Sequence, residues 1–199
     1  MNQPRAHIVD DDAAIRDALC WLLRSRGVLA SAWESGEAFL AAPGEPRGCI
    51  VLDVRMDGLS GIEVQDQLVA RGSRTPVIFL TGHGDVPLAV SALKKGAFDF
   101  VEKPFNDNDL VDRILEAMKL DASRRERSEA SASVAARLAR LTPRERQVME
   151  RIVAGDFNKT IADALSIAMR TVEVHRAHIF EKMEVRSAVE LATLLSRLE

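Results

Sequence analysis

The sequence predicts an α/β domain built on a doubly wound parallel sheet of five strands, followed by a separate all-α domain. Three observations carry this. Before residue 118, short apolar runs alternate five times with segments of helical period. Three consecutive aspartates, a further aspartate, a threonine and a lysine fall at or just beyond the carboxyl ends of four of those runs, where the loops of such a sheet converge. After residue 140 the pattern is helical throughout.

Strands are predicted at residues 7–10, 28–32, 49–53, 77–81 and 98–101. In the first helix Ile15, Leu19, Leu22 and Leu23 line one face and Gly27 stops it. Further helices are predicted at residues 36–41, 62–70, 86–95 and 108–118. Residues 119–140 are rich in Arg, Glu, Ser and Ala and contain no Gly or Pro, which predicts a helical linker over 119–137 between domains at 1–118 and 138–199. Beyond it, Thr142, Pro143 and Glu145 place a capping hydroxyl, a first-turn proline and a returning carboxylate in order, and Gly155 closes that helix. Ser187 and Glu190 repeat the reciprocal cap. Residues 158–165 and 170–183 read as two helices joined by a short turn.

The 199 residues are 47% hydrophobic, enough to bury a core. No apolar run approaches the ~18 residues needed to span a bilayer, and no secretory leader opens the chain, so a soluble cytoplasmic protein with no membrane partner is expected. Cys20 and Cys49 read as buried thiols. The net charge of -3 hides a polarity: residues 1–118 hold 12 Lys and Arg against 18 Asp and Glu, and residues 119–199 hold 15 against 12. An acidic head before a basic tail fits a metal- or phosphate-handling module joined to a nucleic-acid binder.

The strand ends bring together Asp10, Asp11 and Asp12, Asp53, Thr81 and Lys103. These are the parts for phosphoryl transfer to a carboxylate: a nucleophile, carboxylates for a divalent cation, and donors for the transferred oxygens. Two carboxylates about 5 Å apart repel by roughly 3 kcal/mol at an effective dielectric of about 20, so a cation belongs between them. Mg²⁺ suits oxygen ligands and retained waters. The aspartates after the first strand also suit the cap of the following helix, and the two roles are compatible.

Ile8-Val9-Asp10-Asp11, Val51-Leu52-Asp53-Val54-Arg55-Met56, Leu80-Thr81-Gly82 and Glu102-Lys103-Pro104-Phe105 resemble a response-regulator receiver domain of flavodoxin-like fold over residues 1–118. The resemblance implies that Asp53 accepts phosphate from a sensor histidine kinase. It implies that Asp10, Asp11 and Asp53, with the backbone carbonyl of Arg55, hold Mg²⁺. It further implies that Thr81 and Lys103 contact the phosphoryl group, that Phe100 changes rotamer with Thr81 and that Lys103-Pro104 is cis. The charge added by phosphorylation is expected to draw in Thr81 and to transmit that movement to residues 86–95 and Phe100, the dimerisation surface hypothesised here. One departure is Asp57, followed by Gly58, where the family usually has proline.

In residues 170–183, Val172, Ile179 and Met183 recur at inward spacing. That turns Glu173, Val174, Ala177 and Glu181 outward, with Thr171, Arg176 and Lys182 set for phosphates. Glu173 suits a cytosine amino group and Val174 a thymine methyl, although a solvated helix face has the same pattern. Leu141-Thr142-Pro143-Arg144-Glu145, Gly155, Asn158-Lys159, Ile161-Ala162, Thr171-Val172, His175, Lys182, Val185-Arg186 and Glu190-Leu191 resemble a LuxR-type helix-turn-helix. That resemblance implies a four-helix domain whose third helix enters the major groove. It adds Lys159 and His175 to the DNA-contacting set, with Ala168 where a capping serine is common.

Together the two resemblances imply the NarL/FixJ class, with Gly82-His83-Gly84-Asp85-Val86-Pro87 most like the FixJ branch. The function expected is a phosphorylation-dependent homodimer that binds promoter DNA and activates transcription, with RNA polymerase as a further partner, and not a turnover enzyme. Asp10 and Asp12 have the spacing of a haloacid-dehalogenase-like phosphatase, but Ala14 replaces the hydroxyl such a site uses. A ligand-sensing LuxR-type regulator would have no use for Asp53, Thr81 and Lys103.

Overall fold

The computed structural model describes residues 3–82 and 86–196. The chain runs β1 (Arg5–Val9), α1 (Ala13–Ser25), β2 (Ala30–Trp33), α2 (Gly36–Leu40), β3 (Gly48–Asp53), α3 (Gly61–Ala70), β4 (Val77–Thr81), α4 (Val86–Lys94) and β5 (Asp99–Glu102). All pairings are parallel, in the order β2-β1-β3-β4-β5. The central strands β3 and β4 are buried along their whole length, which is why they read as unbroken apolar runs. One face of the sheet packs Ala6, Ile8 and Val51 against Leu19 and Leu23 of α1 and against Leu110 and Ile114 further on. The other packs Val9, Ile50 and Leu52 against Phe39 and Val64 of α2 and α3.

β2 begins two residues later than predicted. The Val28 N–H donates to the Leu23 carbonyl at 2.9 Å and Gly27 is left-handed, so these residues close α1 rather than join the sheet. A larger difference follows β5. The predicted last helix and the predicted linker are one helix, α5 (Asp107–Ala139), because nothing in residues 119–137 breaks it.

Contacts divide the chain into two compact units after Arg124. Asp121, beyond the predicted boundary at 118, is buried and accepts the Gly48 N–H at 2.8 Å, so the start of the predicted linker belongs to the first unit. Val134 belongs to the core of the second.

The second unit comprises the end of α5 with α6 (Pro143–Val153), α7 (Asn158–Leu165), α8 (Met169–Met183) and α9 (Ala188–Leu195). Val148, Ile152, Ile161, Val172, Ile179, Met183 and Leu191 form its core. The box at Thr142 is complete: its hydroxyl accepts the Glu145 N–H and its own N–H donates to Glu145 Oε2. The box predicted at Ser187 is not. Ser187 accepts the Glu190 N–H, but the Glu190 carboxylate accepts from the Arg186 N–H, one residue too early.

Gly61 sets how closely α3 starts against the end of β3. A Cβ there would sit 2.2 Å from the Asp53 carbonyl oxygen, inside any tolerable contact. Gly61→Ala is therefore expected to destabilise the first unit by about 1–3 kcal/mol, read as a lower urea midpoint. An unchanged midpoint would show that this approach is not tight.

Candidate functional site

The first site lies at the carboxyl ends of β1, β3, β4 and β5, and every carboxylate oxygen with an assigned partner is held by this chain's own donors. Asp10 is 2% exposed and Asp53 7%, so neither charge is relieved by water. Lys103 Nζ bridges them, at 3.0 Å from Asp10 Oδ2 and 2.6 Å from Asp53 Oδ1. The Asp12 N–H donates to Asp10 Oδ1 and the Arg55 N–H to Asp53 Oδ2. Burial raises the Asp53 carboxyl, and the Lys103 bond offsets this only in part. Burial also pulls the Lys103 ammonium down, but its bonds to Asp53 and Asp10 outweigh it and hold the ammonium above its ordinary range.

Lys103 reaches this point because its own N–H donates to the Thr81 carbonyl at the end of β4; the Lys103–Pro104 bond that follows is cis. The Thr81 side chain, 2% exposed at the end of β4, donates to the Gly82 carbonyl at 3.2 Å. Phe100, in β5, lies tilted against Phe79 with centroids 6.5 Å apart. Asp11 is oriented by a bond the sequence did not announce: its Oδ2 accepts the Asp57 N–H at 2.9 Å. Proline at that position would have no such donor, so the family departure at Asp57 matters through its backbone. Asp12 caps α1 by accepting the Ala14 N–H.

Arg16 is a second group that sequence reasoning missed. Its guanidinium donates to the carbonyls of Asp10 and Asp11 at 2.8 and 2.9 Å, one helical turn into α1, and tightens the acidic turn. Its only signal was a basic residue four places after the capping aspartate. Residues 83–85, within the predicted Gly82-His83-Gly84-Asp85-Val86-Pro87 motif, lie outside the described residues.

These carboxylates suit an oxygen-seeking cation. Two buried ones, Asp10 and Asp53, converge on a single positive charge, and Asp11 and the Arg55 carbonyl follow next in the chain. Among the described residues no three His, Cys, Asp or Glu side chains form a closed metal site, and an ion that keeps several waters does not require one.

The second site is the outer face of α8. Thr171, Glu173, Val174 and Ala177 are exposed there, as is Lys159 on α7. His175 and Arg176 are half-buried, with the Arg176 guanidinium 5.3 Å above the Phe180 ring. Arg170, 90% exposed, shares this face and was not predicted as a contact; His178 is exposed too but lies on the side toward α6, its Nδ1 3.9 Å from Glu145 Oε1. Ala168 makes no side-chain cap, as its lack of a hydroxyl requires. Lys182 departs from its predicted role: its ammonium donates to both Glu145 oxygens, at 2.8 and 2.7 Å, and turns inward from the phosphate-facing side.

Two family models match the chain: "Response regulator receiver domain" over residues 6–115, more than half of it, and "Bacterial regulatory proteins, luxR family" over residues 139–195. The chain belongs to the response regulators. Among its relatives, the C4-dicarboxylate transport transcriptional regulatory protein DctR of Rhodobacter capsulatus is 51% identical over 94% of this chain and 97% of its own length. The transcriptional regulatory protein FixJ of Bradyrhizobium diazoefficiens is 49% identical over 96% and 94%. The solved structure of the response regulator StyR matches with a TM-score of 0.91 at 41% identity, over 98% of this chain and 99% of that one. Full-length FixJ from B. japonicum matches at 0.62 and 45%, over 100% and 98%.

The regulator thus pairs a receiver with a LuxR-type DNA-binding domain, and its relatives are transcriptional regulators. Receiver domains generally bind Mg²⁺ at their acidic pocket. Among the described residues no helix is long and apolar enough to cross a membrane.

The Glu145–Lys182 pair makes a prediction for the DNA-binding unit. The Glu145 carboxyl is buried, which alone would raise its pKa, but Lys182 and the Thr142 donors hold it down to about 2 from an ordinary 4.5. Its contribution, on the order of 2–3 kcal/mol, is full above the unfolded value and lost as pH falls through the folded one. Acid unfolding of this unit should therefore begin below about pH 4.5. Lys182→Met should destabilise it at pH 7 by a similar amount, because Glu145 is left buried without its cation. Unchanged stability together with weakened DNA binding would return Lys182 to the phosphates.

Proposed function

We propose that Asp53 accepts a phosphoryl group from a sensor histidine kinase, with Mg²⁺ held by Asp10, Asp11, Asp53 and the Arg55 carbonyl, and that this converts the regulator into a promoter-binding homodimer. The observation that carries this reading is the single Lys103 ammonium shared by two buried carboxylates at the strand ends, with Thr81 ending the neighbouring strand β4.

A carboxylate oxygen of Asp53 forms the new bond to phosphorus, while the donor's P–N bond breaks and its electron pair leaves on the kinase imidazole. When bound, Mg²⁺ supplies the charge that neutralises the phosphoryl oxygens during transfer. Lys103 begins on Asp53 Oδ1, and follows the negative charge as it moves outward onto the phosphoryl group. Phosphorylation adds about -1.5 to -2 charge and three acceptor oxygens. The Thr81 hydroxyl, which donates to the Gly82 carbonyl at 3.2 Å, turns to the new acceptors and Phe100 follows it. The altered face includes α4, on which Val90 and Leu93 are 47% and 44% exposed, apolar surface suited to a second copy.

Two paired DNA-binding units then engage half-sites about one turn apart, so that two weak contacts act as one. Lys159, Thr171, Glu173, Val174, His175, Arg176 and Ala177 remain the proposed contacts. Activation of transcription in the cytoplasm, through RNA polymerase, completes the reading.

Treatment with Mg²⁺ and a small phosphodonor should add about 80 Da, one phosphoryl group, to the wild type and nothing to Asp53→Asn. The wild type alone should shift to dimer on a sizing column. Equal labelling of the Asn variant would place the acceptor elsewhere.

A further inference from the structure

The loop between β3 and α3 is pinned through its backbone to carboxylates from three different parts of the receiver. The N–H groups of Arg55, Asp57 and Leu59, at alternate positions, donate to Asp53 Oδ2, Asp11 Oδ2 and Glu37 Oε1 at 2.8, 2.9 and 2.9 Å. Asp53 ends β3, Asp11 follows β1 and Glu37 lies in α2. Gly58 stands between the last two donors at a φ of 78°, where a side chain would be strained, and a Cβ there would sit 2.6 Å from Glu37 Oε1. The Gly61 N–H closes the loop on the Val54 carbonyl at 3.1 Å.

Of the three acceptors, Asp11 is the one that belongs to the acidic turn after β1 without being fixed by burial. Asp10 and Asp53 are walled in and share Lys103, whereas Asp11 is exposed. An exposed aspartate with nothing to hold it turns among its rotamers, and an ion taking it as a ligand would first have to order it. Here the ordering is done by the fold, from two sides. Asp57 holds the carboxylate, and Arg16 Nη1 donates to the carbonyl of the same residue at 2.9 Å. The Asp57 bond engages Oδ2 alone, and a carboxylate that accepts one N–H keeps lone pairs for a cation. The loop that supplies this donor also carries the Arg55 carbonyl, so two of the oxygens proposed for Mg²⁺ are tied to each other by the Asp57 N–H.

On the reading in which Asp11 and the Arg55 carbonyl hold Mg²⁺, we infer that Asp57 is a positioning residue for that ion and acts through its backbone N–H, which sets Asp11 against the loop before the ion arrives. Calorimetric titration of the unphosphorylated full chain with Mg²⁺ tests this. Asp57→Pro, which lacks the N–H, should bind at least about ten-fold more weakly than wild type, the loss usual when the outer partner of a metal ligand is removed. Asp57→Asn keeps the N–H and loses only an exposed, screened charge, so its affinity should stay within about three-fold of wild type. Amide exchange followed by NMR gives a second readout, independent of whether the proline variant folds. In the wild type without Mg²⁺ the Asp57 N–H should be protected, and Asp11→Ala should speed its exchange at least about ten-fold while leaving the amides of β4 unchanged. Equal Mg²⁺ affinity in a folded Asp57→Pro, an Asp57→Asn as weak as the proline variant, or an Asp57 amide indifferent to Asp11→Ala would each overturn this role and leave the Mg²⁺ site standing. No saturable Mg²⁺ binding by the wild type would overturn the site itself, and the role with it.

Discussion

Two carboxylates buried within reach of one ammonium are the constraint around which the receiver is arranged. Asp10 and Asp53 cannot both stay charged in a site from which water is largely excluded unless a cation is fixed between them. Lys103 meets this need only if β5 ends beside β4 in the observed register, Thr81 opposite Glu102. The same demand accounts for the parallel sheet, since only parallel strands bring the ends of β1, β3, β4 and β5 to one edge. It accounts for the glycine at Gly61 too, because the turn that returns the chain to α3 passes against the Asp53 carbonyl.

The helical unit answers a comparable problem with one pair. Glu145 caps α6, yet its position on the inward side of that helix buries its charge, and Lys182 from the last turn of α8 neutralises it. A capping device and an inter-helix tie are thus one group. The outer face of α8 is left to exposed side chains, with Ser166 and Glu184 in left-handed conformations closing α7 and α8 without glycine. Arg176 lies along Phe180, which limits the freedom of a guanidinium that would otherwise sample many rotamers.

Much of this was legible before any coordinates. β4 and α7 match the expected spans, because apolar runs bounded by turn residues report directly on burial. The strand-end residues Asp10, Asp53, Thr81 and Lys103 come together as their order suggested. What could not be read were bonds made by groups whose partner is set by three-dimensional proximity alone. The Asp57 N–H on Asp11 belongs to the backbone, which every residue but proline carries. Lys182 looked like a phosphate contact because its partner lies 37 positions away. Arg16 looked like an ordinary exposed helix residue. The domain boundary was blurred for a different reason: residues 119–137 lack breakers, so composition marked a linker where the backbone continues α5.

The most direct measurement is DNA affinity by fluorescence anisotropy, on sites recovered by selection in vitro, for wild type and Lys103→Met with and without Mg²⁺ and a phosphodonor. If the ammonium shared by Asp10 and Asp53 carries the switch, phosphorylation tightens wild-type binding at least ten-fold and leaves the Met variant unmoved even where mass confirms that it is labelled. Equal tightening in a labelled Lys103→Met would contradict the account, because the switch would then operate without that ammonium.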